Sequence, residues 1–283
     1  MAEEDIKSIE ARIHETYDDF SETERKIADV ILDYPGDLSA FTATELASLA
    51  GVSKASSSRF FQRLGYSSFE EARKLAREIK NWGSPLYRQG KSSPQHINFK
   101  EFFDHEIELL KTTIGNIHPN TIDEITQAIV ASKRIWIVGF RNSYFLAGYL
   151  RWQLLQFRGD VNLLPNPGET FGEFTADMIE SDLLIAVGLR RRPRELGQII
   201  QSAEKSGANR LLITDPTARR LPSLVDWTLT VQTASPFVFD SCSSAISLLR
   251  LIAVTALQKA GKPGRDHLKR VERQHEILGD LNH

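Results

Sequence analysis

The sequence predicts two dissimilar units. One is an N-terminal all-α helix-turn-helix bundle over residues 1–80. The other is a C-terminal α/β unit over residues 99–283, with a five-stranded parallel sheet flanked by helices. Three observations predict this. Residues 1–80 carry helical apolar spacing and repeated helix-start signals, with no strand pattern. Residues 99–283 alternate short β-branched runs with helical ones, which is the grammar of a covered parallel sheet. Between them "NWGSPLYRQGKSSPQHIN", residues 81–98, gathers proline, glycine and polar residues as a linker does.

Composition bounds the function classes. A chain of 283 residues can bury two cores, and 41% hydrophobic with 25% charged residues is ordinary for a globular protein. The lone Cys242 excludes an internal disulfide framework and a cysteine-based metal cluster. The seven histidines show no metal-ligand spacing, so neither metal nor cofactor is expected. "MAEEDIKSIEARIHETYDDF" is acidic and amphipathic, unlike a signal peptide. No apolar run nears the roughly 20 residues of a membrane span. The expectation is a cytoplasmic protein with no membrane partner.

The elements follow in order. Ile6, Ile9, Ile13 and Tyr17 recur at helical spacing, and "SETE" from Ser21 opens a second helix by a capping box that Pro35-Gly36 closes. "TATE" from Thr42 and "SSFE" from Ser67 repeat the box. In the α/β unit, "FKEFFDHEIELLKTTIGNI" and "TIDEITQAIVASK" precede the strand "RIWIVGF". Helix "SYFLAGYLRWQLLQF", strand "VNLLP", a helix around "FGEFTADMIES", strand "DLLIAVGL", helix "PRELGQIIQSAEKSG" and strand "RLLITD" come next. "DWTLTV" is the last strand, and "SSAISLLRLIAVTALQKAG" a long apolar helix.

The strongest motif is "TATELASLAGVSKASSSRFFQRLGYSSFEE". Thr42 caps a helix from about Ala43 to Ala50, Gly51 permits the tight turn, and Ser53 caps a second helix. Leu46, Ala47, Leu49, Phe60, Phe61 and Leu64 are expected inside. Thr44, Ser53, Lys54, Ser56, Ser57, Arg59 and Arg63 are then the candidates for contact with double-stranded operator DNA. Lysine and arginine suit phosphates or guanine, and serines suit phosphates or base edges. Charge agrees: residues 1–52 hold 4 Lys+Arg against 13 Asp+Glu, whereas residues 53–80 hold 7 against 3. A solvated face on an ordinary helical bundle would show the same pattern.

This segment resembles the helix-turn-helix of the RpiR family of bacterial transcriptional regulators, through "AGVS", the Arg-Phe-containing second helix, "LGY" and the serine-capped helix after it. The resemblance spans roughly Ser8 to Gly261. It implies that the C-terminal unit is a sugar isomerase (SIS) domain, which binds a phosphosugar at the carboxyl ends of its strands. Two loops would carry the ligand. The first, a Gly-x-Gly-x-Ser-like sequence, is "GFRNS" here, Gly139 to Ser143, with Arg141 at the second glycine. The second, Ser-x-Ser-Gly-x-Thr, is "GLRRRP" here, Gly188 to Pro193, with every hydroxyl lost and Arg191 at the glycine.

That exchange has physical consequences. Arginine cannot adopt glycine's dihedrals cheaply, and Pro193 removes an amide donor. Guanidinium groups still hold phosphate or carboxylate bidentately. Cations at a helix N-terminus are disfavoured by up to about 1 kcal/mol each, which a bound anion or nearby acids would relieve. An effector anion, acids of another subunit and plain solvent are the three readings of this loop. The effector candidates are Arg141, Asn142, Ser143, Arg190, Arg191, Arg192 and Arg194. Glu169 and Thr170 after the second strand, and Asp240 and Ser241 before the long helix, complete the set. Asp240 or Ser241 would equally serve as an N-cap, and Cys242 as a small buried residue.

The sequence therefore predicts a transcriptional regulator, not an enzyme. It would act as a homodimer, or a tetramer, that binds DNA and senses a small anionic metabolite. Two other readings stay open: an aldose–ketose isomerase-like enzyme with Glu169 or Glu173 as base, and a regulator whose SIS domain only dimerises.

Overall fold

The computed structural model describes residues 9–33, 38, 41–82, 97–166, 168–237 and 239–280. Ile6, the Pro35-Gly36 stop and most of the predicted linker lie outside them. Helices α1 (Ile9–Thr16), α2 (Glu22–Asp33), α3 (Ala43–Leu49), α4 (Lys54–Arg63) and α5 (Phe69–Trp82) form the N-terminal bundle. Its core joins Ile13, Ile27, Ile31, Leu46, Phe60 and Phe61. Phe20, Phe60, Phe61 and Phe69 form a chain of one tilted and two edge-to-face ring pairs with centroids 5.2 to 5.4 Å apart. Such pairs add to the burial term because ring edges meet ring faces.

Two capping boxes form as the sequence predicts. Ser21 N donates to the Glu24 carboxylate while Glu24 N donates to Ser21 Oγ, and Thr42 and Glu45 exchange the same pair. The third is shifted by one residue. Glu71 N donates to Ser68 Oγ at 3.2 Å and the Glu71 carboxylate accepts from Ser67 N. Phe69 and Ala72 set the buried phase of α5, and that phase places Glu71, not Glu70, in the third helical position.

The second unit begins with α6 (Phe99–Gly115) and α7 (Pro119–Ala131). Strands β1 (Ile135–Gly139), β2 (Val161–Leu164), β3 (Leu183–Gly188), β4 (Asn209–Thr214) and β5 (Trp227–Thr230) alternate with α8 (Asn142–Leu155), α9 (Gly172–Ala176) and α10 (Arg194–Lys205). The five strands are all parallel in the order β2-β1-β3-β4-β5. Every residue of β1 and β3 is buried, as central parallel strands require. Alternate side chains go to opposite faces: Ile135, Ile137, Ile185 and Ile213 pack against α7, α8 and the last helix α11 (Ser243–Leu278). Trp136, Val138, Leu184 and Leu212 pack against α10 and the α9 loop. The α9 helix is shorter than the sequence reading, and α11 bends at Gly261, whose φ of 59° breaks the helical run before Pro263.

Gly139 is required by contact, not by turn geometry. A Cβ there would lie 2.3 Å from Ser143 O and 3.0 Å from Ala147 Cβ, both in the first turns of α8. Gly139→Ala is expected to push α8 off β1 and destabilise by about 1–3 kcal/mol. A urea titration checks this, and an unchanged midpoint would show that α8 accommodates the methyl.

Candidate functional site

The helix-turn-helix presents part of the predicted set. Ser53 caps α4, accepting from Ser56 N at 3.1 Å, and its hydroxyl pairs with that of Ser56 at 2.9 Å. Lys54 and Arg59 are exposed, as are Ser58 and Gln62, which the sequence reading missed. Their i, i+4 and i, i+3 spacing along α4 identifies them once the buried phase of Phe60 and Phe61 is known. Ser57 is a correction: it is buried, because it shares the face of Phe60 and Phe61. Arg63 is another. Its guanidinium pairs with Glu24 at 2.7 Å, donates to Asp19 O at 2.8 Å and lies over Phe20. It braces the bundle. Thr44 is exposed on α3 but lines a cleft of about 390 Å³ shared with Phe41, Ser48, Arg194, Gln198 and Arg220. It therefore faces the α/β unit.

The second region is the crevice at the carboxyl ends of the strands. Strand order reverses between β1 and β3, so the loops after these neighbours diverge and leave a gap. Each loop contains an arginine on positive-φ backbone, Arg141 with φ 54° and Arg190 with φ 44°. Such sparsely populated backbone costs an L-residue of order 1–3 kcal/mol, and Arg141, with ψ −126°, lies outside the left-handed α region. Arg141 stands where the resemblance places a glycine. In the second loop the positive φ falls on Arg190, one residue before Arg191, which stands where the resemblance places the glycine. Asp215, just after β4, accepts from Arg190 N at 2.8 Å and holds the turn there.

Hydrogen bonds collect several predicted residues around this gap. Arg190 Nη1 pairs with Asp240 at 2.6 Å, and Asn142 Nδ2 donates to Cys242 Sγ at 3.1 Å. Ser143 is buried, and its Oγ accepts from Leu189 N at 3.2 Å, so it fastens one loop to the other. Ser241 donates to Glu106 on α6 at 2.5 Å and accepts from Ser243 N, so it satisfies the first amide of α11 from the residue before the N-cap, Cys242. Arg141 is exposed, and its side chain has no hydrogen bond or ion pair among the described residues. Glu169 accepts from Asn166 and Thr170 donates to Glu173, so both are tied within their own loop. Burial pushes the Cys242 thiol up, which disfavours a thiolate.

Arg192 overturns its assignment. It is 1% exposed, and its guanidinium is consumed by the protein. Nη1 donates to Asp215 at 2.5 Å, Nη2 to Thr217 Oγ1 at 3.0 Å and to Leu32 O at 3.2 Å, and Nε to Asp33 O at 3.0 Å. It thus caps the C-terminal end of α2 in the other unit, where a cation suits the dipole. The Asp33 carboxylate reaches back the other way. It accepts from Arg219 N at 2.5 Å, Arg220 N at 2.7 Å and Leu221 N at 2.9 Å, at the start of the 3₁₀ turn Leu221–Leu224. Arg219 also lies over the Tyr17 ring. Arg191 and Arg194 remain exposed, Arg194 in the cleft opposite Thr44. So the four arginines have four different positions, and the partner of one is the chain's own helix.

Asp33 and Asp215 were missed by the sequence reading. Asp33 did leave a signal: an acid in the last turn of a helix opposes the dipole and needs a reason. Burial pushes its carboxyl from 3.8 to about 6, against the pull of its three backbone donors and Arg192. The buried state therefore holds a proton that an exposed Asp33 would release. Its stabilisation is complete below pH about 4 and is lost as pH rises through about 6. The melting temperature is expected to fall between pH 5 and 7.5 more steeply in the parent than in Asp33→Asn. Parallel slopes would show that Asp33 does not titrate there.

Comparison with known proteins closes the description. The model described as the rpiR-family helix-turn-helix domain matches residues 7–81, and that of the SIS domain matches residues 128–255. The chain is 24% identical over 274 residues to the HTH-type transcriptional regulator HexR of Pseudomonas aeruginosa, covering 94% of this chain and 95% of that one. An HTH-type regulator of Providencia stuartii is 26% identical over 219 residues, covering 72% and 74%. Among solved structures, NanR of Vibrio vulnificus, complexed with ManNAc-6P, aligns with TM-score 0.60 and 18% identity over 97% of this chain and 99% of that one. The sugar isomerase domain of an RpiR transcription factor from Sphaerobacter thermophilus aligns with TM-score 0.57 and 22% identity, covering 60% of this chain and 96% of that one.

Proposed function

Because the chain belongs to the RpiR family of helix-turn-helix transcriptional regulators and carries a SIS domain, we propose that it senses a small anion at the β1/β3 crevice and adjusts DNA binding in response. One observation carries this reading: two arginines on strained positive-φ backbone flank the switch point, Arg141 with a free guanidinium and Arg190 paired with Asp240. Strain of this kind collects where a ligand is gripped. A phosphate or carboxylate would take Arg141 directly and compete with Asp240 for Arg190.

NanR, solved with ManNAc-6P, makes sugar phosphates the first class to test, and the loss of the hydroxyl cradle adds carboxylates to the screen. A thermal-shift screen of ManNAc-6P, other hexose phosphates and citrate is expected to find one compound that raises the melting temperature. Arg141→Ala should abolish that shift. A screen in which no anion stabilises the protein would sink the sensing role.

The isomerase reading has less support. It needs a base near neutrality, yet the Thr170 hydroxyl holds Glu173 below its usual carboxylate value. Dimerisation has support in Phe145 and Trp152 on α8, 73% and 59% exposed, beside Ile246 and Val254 on the adjoining α11. A second copy covering this face would set two helix-turn-helix units on a two-fold axis, matching a palindromic operator. Trp152→Asp is expected to yield monomers in sedimentation, and a persistent dimer would place the interface elsewhere.

A further inference from the structure

The loop that lines the crevice also holds the DNA-binding unit, and one carboxylate oxygen joins the two jobs. Asp215 Oδ1 accepts from Arg190 N at 2.8 Å on the crevice side and from Arg192 Nη1 at 2.5 Å on the other. Arg192 continues to Leu32 O and Asp33 O at the end of α2, and Asp33 returns to the backbone of Arg219, Arg220 and Leu221. Arg190 meanwhile spends its guanidinium on Asp240, an exchangeable, partly exposed pair. We infer that Arg190, Asp215, Arg192 and Asp33 form a relay through which occupancy of the crevice resets the placement of the helix-turn-helix unit. The direction of the signal rests on the sensing role proposed above; the clasp itself does not.

The physics of the relay lies in its sharing. Asp215 is buried and Arg190 N is fixed by it, so an anion that draws Arg190 away from Asp240 pulls on the same turn that sets Arg192. Arg192 cannot follow freely, because its donors are fully used in a dry contact and leaving any of them unpaired is costly. The junction therefore switches between discrete arrangements instead of deforming gradually. A ligand acts on it only through contacts that differ between those arrangements, and the Arg190–Asp240 pair is such a contact.

The test uses the full chain with Cys242→Ala and spin labels at Ser58→Cys on α4 and Lys205→Cys on α10, both exposed, diluted with unlabelled chain so that only intrachain pairs are read. The parent should give one narrow distance distribution. Asp33→Ala leaves three backbone donors without an acceptor. Arg192→Lys keeps a cation for Asp215 but cannot reach both carbonyls of α2. Each should broaden the distribution without ligand, with circular dichroism unchanged; having two variants guards against one that fails to fold. An unchanged narrow peak in both overturns the clasp. Inorganic phosphate, at constant ionic strength, should move the parent distribution and not those of the variants. Phosphate that raises the parent's melting temperature without moving its distribution overturns the relay. Phosphate that does neither, while the variants broaden, upholds the clasp and counts against the sensing role.

Discussion

Arg192→Ala is expected to destabilise the protein by about 3–5 kcal/mol, the range for removing one partner of a buried ion pair. The reason is what it leaves behind. Asp215 keeps a charge at 2% exposure, and the end of α2 loses the donor to two carbonyls. At roughly 2–4 °C per kcal/mol for a chain of this size, the melting temperature should drop by about 10 °C. The loss should fall on the junction, so calorimetry is expected to resolve the helical bundle as a separate, earlier transition. Arg192→Ala with Asp215→Ala should cost clearly less than the two single changes summed, since the second removes the stranded charge. A single transition within 1 °C of the parent would mean that the pair is dispensable.

The second large effect concerns DNA. Lys54→Ala with Arg59→Ala removes two of the three exposed cations of α4, and operator affinity at 0.1 M salt should fall by about 10²-fold. If both meet phosphates, the slope of log affinity against log salt should shrink by about 2; if either reads guanine, part of the loss appears as relaxed sequence preference instead. Arg63→Ala makes the contrast. Its guanidinium braces Glu24 and Asp19, so its removal is expected to lower stability while leaving the salt slope nearly unchanged. Equal slopes for the parent and the Lys54, Arg59 double variant would rule out α4 as the DNA-facing helix.

Much of the architecture was legible because local chemistry dictates it. Thr42 and Glu45 cap α3 wherever that helix sits, and β-branched runs bounded by helices leave few options beside a parallel sheet. The site was less legible. Four arginines in five residues announce a charge problem, but pattern does not say which acid solves it. Arg192 and Asp33 are 159 residues apart in sequence, and only packing of the two units brings them together. Ser57 failed for a smaller reason: a hydroxyl on a basic helix reads as outward, yet Ser57 lies three and four residues before the inward Phe60 and Phe61 and shares their buried face.

The sequence by itself determined the two units, the capped helices, the five strands and the loops at the crevice, since each depends on neighbours within a few turns of chain. Tertiary structure decided how those loops are used. Arg190 faces Asp240, Arg192 is spent on α2, and Arg194 looks into the cleft beside Thr44. A guanidinium reaches several ångströms in any direction, so its partner is settled by which buried acid or carbonyl most needs a donor, and that need exists only once the chain has folded.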